Sequence, residues 1–136
     1  MPSLKYRLPL LNFMDRLVVI LKKVHFQDFK SGSKTYELRG YGKRYNEKFV
    51  YTGRNIDLRN GYSKEGLKGY IGRVEIGNLD EILSKTDYKK ILPRAESREK
   101  ATAEICELME KSEKYITFEV LAKRPENSLW EQYRLW

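Results

Sequence analysis

Lys34, Glu37 and Arg39 stand within six consecutive positions of the stretch GSKTYELR, Gly32 to Arg39. A carboxylate beside an arginine fixes the planar guanidinium, whose fork of donors matches a phosphate or the edge of a base. Lysine adds a compact second cation to the same neighbourhood. Strand alternation puts Thr35, Glu37 and Arg39 on one face and Tyr36 and Leu38 on the other. That alternation sends Lys34 away from Glu37, so Lys34 joins the pair only if it lies in the turn leaving Gly32, before the regular strand begins. The competing reading is an edge strand with a solvated Glu-Arg pair, an arrangement that contributes little to stability.

The surroundings favour polyanions. The formal net charge is +8, and the stretch from Arg39 to Arg73 concentrates it, with nine Lys or Arg against three acids. Five of the ten tyrosines fall there as well: Tyr41, Tyr45, Tyr51, Tyr62 and Tyr70. Cations for phosphates and aromatic faces for stacking form the composition that single-stranded or looped nucleic acid favours. Arg44, Tyr45 and Arg54 are the expected rim of a binding site whose centre is Lys34, Glu37 and Arg39. The bland alternative is a solvated basic surface whose tyrosines are half buried in strands.

These residues need a scaffold, and the chain supplies strands first and helices later. RLVVILKK, Arg16 to Lys23, is β-branched and apolar enough for a buried strand. VHFQDFKSG then gathers Val24, Phe26 and Phe29 on a short helical segment closed by Gly32. After the charged strand and a polar loop come EKFVYTG and, beyond RNIDLRNGYSKEG, the strand LKGYIGRVEIG, where Gly72 marks a bulge or a close backbone approach. NLDEILSK opens on Asn78 with Glu81 three residues on, a capping pattern, and SREKATAEICELMEK stacks Ala101, Ile105, Leu108 and Met109 on one helical side from Ser97. KYITFEVLAKR alternates as a last strand that Pro125 closes.

With 136 residues the chain forms one domain with a sizeable core of its own. Its longest apolar run, LVVIL, is far short of the roughly 20 residues a membrane crossing needs, and no secretory signal pattern is present, so a cytoplasmic location is expected. One cysteine, Cys106, and one histidine, His25, form neither an internal disulfide nor a zinc site of ordinary spacing. His25 reads as a packing or capping residue and Cys106 as a small hydrophobe. Gly53, Gly61 and Gly66 lack the P-loop spacing, and no cofactor motif is found. Strands interrupted by a helix, with two more helices late in the chain, indicate a mixed α and β fold built on a small curved sheet or barrel.

FKSGSKTYELR resembles the G-x-K-x-x-E-x-R signature of the ASCH domain, a small β-barrel family related to the PUA domains that bind RNA. Gly32, Lys34, Glu37 and Arg39 fill its four fixed positions. The order of elements is similar too, with LVVILKKVHFQDFKSG before the signature, LKGYIGRVEIGNLDEIL after it, and YITFEVL as the closing aromatic strand. The resemblance implies an α+β fold, a PUA-like β-barrel flanked by short helices, over residues 14–124. Residues 1–13 are then an N-terminal extension, with Met14 an alternative start to Met1, and 125–136 a C-terminal aromatic tail.

The resemblance further implies a nucleotide-sized cleft lined by the signature, hence a module that binds RNA or a nucleotide-like ligand. Two family activities supply the alternative, a hydrolase. One removes acetyl from acetylated cytidine with the signature lysine, a threonine and a glutamate, but Glu37 stands at the threonine's place, leaving Thr35 as the nearby hydroxyl and Glu96 as a distant acid. The other cleaves RNA, with Lys34 and Arg39 stabilising charge and Glu37 as base. In either case Lys34 and Glu37 are the catalytic candidates. A third option is a protein-interaction adaptor or homodimer through Trp130, Tyr133 and Trp136 in the tail.

Overall fold

A computed structural model describes residues 15–109 and 112–125. The expected extension 1–13 and the aromatic tail from 126 onward lie outside the described residues. In chain order the elements are β1 (Leu17–Leu21), α1 (Lys23–Ser31), β2 (Tyr36–Gly40), β3 (Asn55–Asn60), β4 (Gly66–Gly77), α2 (Leu79–Lys85), α3 (Tyr88–Ile91), α4 (Arg98–Leu108) and β5 (Tyr115–Leu121). The five strands form one sheet in the order β1-β3-β4-β5-β2, parallel between β1 and β3 and antiparallel elsewhere, curled into a half-barrel. Its two edge strands meet across the seam, where the Arg39 guanidinium donates to the Ile20 carbonyl at 3.3 Å. Among the described residues no helix is long and apolar enough to cross a membrane.

Two apolar clusters lie on opposite sides of this sheet. Inside the curl pack Val19, Phe26, Ile56, Leu58, Ile71, Ile116 and Phe118; each large side chain buried there contributes about 1.5–3 kcal/mol. On the outer face, Tyr36, Leu38 and Tyr115 meet Ile82, Ile91 and Ile105 of the helix layer. β2 is therefore covered on both sides. Its register pairs Glu37 with Phe118 and Arg39 with Ile116, so the charged signature residues share the inner face of the half-barrel while Tyr36 and Leu38 face the helices. Alternation locates the faces but not the second layer that buries both.

Local signals explain most boundaries. Gly32 adopts a left-handed φ of 86° as it closes α1, a conformation with little cost for glycine alone. Asn78 and Glu81 form the expected reciprocal cap of α2, and the Ser97 hydroxyl accepts from Lys100 N at the start of α4. The β4–β5 ladder shifts register between Ile71 and Val74, and a Cβ on Gly72 would stand 2.5 Å from Glu119 Oε1, so the expected close approach is present.

EKFVYTG forms no strand. It belongs to the loop between β2 and β3, pinned by buried Val50 and Arg54. The strand at this point is β3, within RNIDLRN, whose Ile56 and Leu58 face inward while the poor strand formers asparagine and aspartate, with one arginine, fill the other positions.

Candidate functional site

The turn after Gly32 decides the geometry. Because β2 begins only at Tyr36, Lys34 escapes the strand alternation, and its amide donates to Asp28 O at 3.0 Å. The side chain runs inward until only 2 % of the residue is exposed. Its ammonium donates to the Ile91 carbonyl, stands 3.3 Å from Glu37 Oε1 and lies 5.3 Å from the centre of the Phe29 ring. Glu37 is buried as well; Oε1 accepts from Leu38 N at 3.1 Å and Oε2 from Arg39 Nη2 at 3.0 Å. Thr117 fixes this segment from β5 through a 2.8 Å bond to the Glu37 carbonyl.

Arg39 ends the chain of charges. Its guanidinium lies 5.2 Å above the Tyr45 ring, which is itself stacked on Phe118, and its side chain keeps 26 % of its surface exposed. Two cations and one carboxylate thus leave one net positive charge at the seam. Burial raises the Glu37 carboxyl, but Lys34, Arg39 and the two hydrogen bonds outweigh it and hold the group below its ordinary value, as a carboxylate. Burial lowers Arg39, yet Glu37 and its hydrogen bond prevail and raise it. Breaking such a buried pair from one side costs about 3–5 kcal/mol, since the remaining charge stays out of water.

These groups border a cavity of about 250 Å³. His25, Lys34, Glu37 and Arg39 supply its polar side, and Leu92, Ile105 and Leu108 are among its apolar walls. The cavity draws its lining from the end of β1, from β2 and from the end of α4, among other elements, and has the mixed lining of a small-ligand site. Sequence patterning makes His25 a packing residue, whereas the fold sets it at the cavity. It lies off the Phe26 and Phe29 side of α1, and that off-stripe position is the available signal. Burial, then Lys34, lowers its pKa from 6.5, which keeps the ring neutral and able both to donate and to accept.

The expected rim divides. Tyr45 supports Arg39 from beneath but does not line the cavity. Arg44 is exposed on the β2–β3 loop, also outside it. Arg54 is buried at 5 % exposure and donates to Phe49 O and to Asp15 Oδ1, so it ties the loop to the start of β1 rather than facing a ligand. Thr35 lines a different hollow from Glu37, and Glu96 is exposed and bonded to Lys100. Among the described residues no three His, Cys, Asp or Glu side chains are grouped to hold a metal ion.

The curled five-stranded half-barrel with its four short helices matches the α+β fold of ASCH proteins. The ASCH protein from Zymomonas mobilis superposes with a TM-score of 0.55 at 17 % identity, covering 79 % of this chain and 68 % of that one. A point mutant of the same protein gives 0.57 at 18 %, covering 79 % and 70 %. The hypothetical protein PH0355 gives 0.65 at 19 %, covering 79 % of this chain and 99 % of that one. No family model and no curated protein matches the sequence.

Proposed function

We propose that the chain is a binding module for RNA or a nucleotide-like ligand, which it receives in the cavity at Lys34, Glu37 and Arg39. The observation that carries this is the burial of a charged network beside a cavity of about 250 Å³ with an apolar wall. A buried ion network is weak support for stability, and apolar residues of similar volume would serve packing as well. Held rigid around a cavity, it presents positioned donors. Arg39, partly exposed, contacts a phosphate or base edge; Glu37 orients Arg39 and Lys34; the apolar wall receives the flat face of a base. His25 completes the polar side with a neutral ring. A cytoplasmic location fits this role.

Catalysis is the second reading. The closeness of Lys34 to Glu37 favours it, because a lysine beside a carboxylate can stabilise charge while protons move. Against it, a carboxylate held below its ordinary value by two cations is a weak base, and neither Thr35 nor Glu96 reaches the same cavity. An adaptor role through Trp130, Tyr133 and Trp136 concerns residues outside those described. The test is equilibrium binding of single-stranded RNA, structured RNA and duplex DNA at two salt concentrations, with Arg39→Ala and Lys34→Ala beside the parent. RNA binding that weakens in folded Arg39→Ala supports the cavity. Full affinity in both folded variants rejects it, and turnover of acetylated cytidine that disappears in Lys34→Ala would establish the hydrolase instead.

A further inference from the structure

The signature cavity has a neighbour on its α1 side. At about 250 Å³ the cavity by itself is smaller than the roughly 300–1,000 Å³ of ordinary ligand sites. A second hollow, of about 210 Å³, adjoins it and brings the space into that range. The two share Lys22, His25, Leu92 and Leu108 in their linings. Lys22 is exposed, Leu108 is 46 % exposed and His25 is only partly buried, so the border between the hollows lies at the surface and a ligand can lie across it.

The charged groups of the second hollow are unequally engaged. Asp28 is committed, since its two oxygens accept from Arg94 Nη2 at 2.9 Å and from Arg94 Nε at 3.1 Å. Glu104 of α4 also lines the hollow, is exposed, and makes no hydrogen bond or ion pair with any described residue. Lys22 borders the same space, yet no ion pair joins it to Glu104. The His25 ring stands between two charged groups, Lys34 and Glu37 of the signature cavity and Glu104 and Asp28 of the second hollow, and all four act on its titration. An ionised carboxylate only accepts hydrogen bonds, so a free one at this border calls for a hydroxyl or amino donor.

We propose that the second hollow is a ribose subsite in which Glu104 accepts from the 2′-hydroxyl, so that the chain selects ribonucleotides over deoxyribonucleotides. The proposal rests on the nucleotide reading of the signature cavity and adds to it the sugar that the ligand carries. With the base edge at Arg39 and the base face on the apolar wall, the sugar lies over the His25 border and its phosphate meets Lys22. A carboxylate suits the sugar because it accepts from a ribose hydroxyl without a proton of its own to place. The 2′-hydroxyl is also the group that separates RNA from DNA at a given site.

The experiment is calorimetric titration of the full chain with the four common ribonucleoside 5′-monophosphates and with the 2′-deoxy counterpart of each. It is repeated on Glu104→Ala, on Arg39→Ala and on Glu107→Ala, which removes the same charge from the same helix outside both hollows. Comparing each nucleotide with its own deoxy form cancels the effect of the lost charge on the phosphate. The nucleotide that binds best is expected to exceed its deoxy counterpart by about tenfold, the low end for a hydrogen bond to a charged group, because Glu104 is also open to water. Glu104→Ala is expected to bring that ratio close to one, and Glu107→Ala to keep it. A ratio near one in the parent, or a parental ratio in folded Glu104→Ala, overturns the ribose subsite; weaker binding of both sugars in Arg39→Ala then leaves the cavity reading standing. A parent that binds no nucleotide of either sugar overturns both.

Discussion

Replacing Glu37 by glutamine keeps the shape of the side chain and removes one charge from a site where two cations depend on it. Lys34, at 2 % exposure, would lose its counter-charge and keep the Ile91 carbonyl, the face of Phe29 and at most the neutral glutamine oxygen. Arg39 would retain the Ile20 carbonyl, Tyr45 and partial access to water. The cost of breaking a buried pair from one side is about 3–5 kcal/mol, and the exposed part of Arg39 places the expected loss at the low end, near 3 kcal/mol. In a domain of this size such a loss lowers Tm by about 10 °C. Urea unfolding of Glu37→Gln, Lys34→Met and the double variant measures it. The double variant is expected to recover about 2 kcal/mol relative to the sum of the singles, because no lysine is then left unpaired. The parent should also lose stability as pH falls below 4.5: Glu37 lies below that value when folded, so its contribution is present above 4.5 and disappears as the folded carboxylate takes up a proton. Glu37→Gln should remove that part of the pH dependence. A loss below about 1 kcal/mol, the value for a solvated pair, would refute the buried network.

Two further outcomes follow from other sites. His25 titrates below 6.5 when folded, so the unfolded chain binds the proton first; its contribution is intact above 6.5 and declines as pH falls toward the folded value, with Lys34 opposing the imidazolium and Glu37, Glu104 and Asp28 favouring it. His25→Gln should flatten unfolding free energy over that interval, and an unchanged profile would show the ring to be solvated. A Cβ on Gly69 would stand 2.6 Å from the Leu121 carbonyl oxygen, a backbone atom that moves only with the β4–β5 ladder. Gly69→Ala is expected to cost about 1–3 kcal/mol, and a parental Tm would contradict the tight approach of these strands.

Local chemistry in the sequence locates what depends on neighbours in the chain. The caps at Asn78 and Ser97, the left-handed Gly32 and the irregularity at Gly72 all act over a few residues, and each is found where the pattern puts it. Lys34 illustrates a conditional case: alternation alone separates it from Glu37, and only the strand's start at Tyr36 reunites them. Long-range packing leaves no such trace. Arg54 resembles any exposed basic residue until the β2–β3 loop folds over it, and Ile56 and Leu58 are masked by the polar residues between them. His25 faces the cavity because α1 is oriented by Phe26 in the half-barrel interior, which its own composition does not encode.

The most direct test of the central claim is a titration of the isotopically labelled protein with a single-stranded oligouridylate, followed by nuclear magnetic resonance. The side-chain Nε–H of Arg39 has no hydrogen-bond partner among the described residues and belongs to a partly exposed guanidinium, so it reports on an acceptor arriving there. Saturable shifts of that signal, together with the amides of His25, Leu38 and Leu92 around the cavity, are expected. Shifts confined to Lys43, Arg44 and Lys48 on the exposed loop, with the Arg39 signal unmoved at saturation, would contradict a nucleotide site at the signature residues.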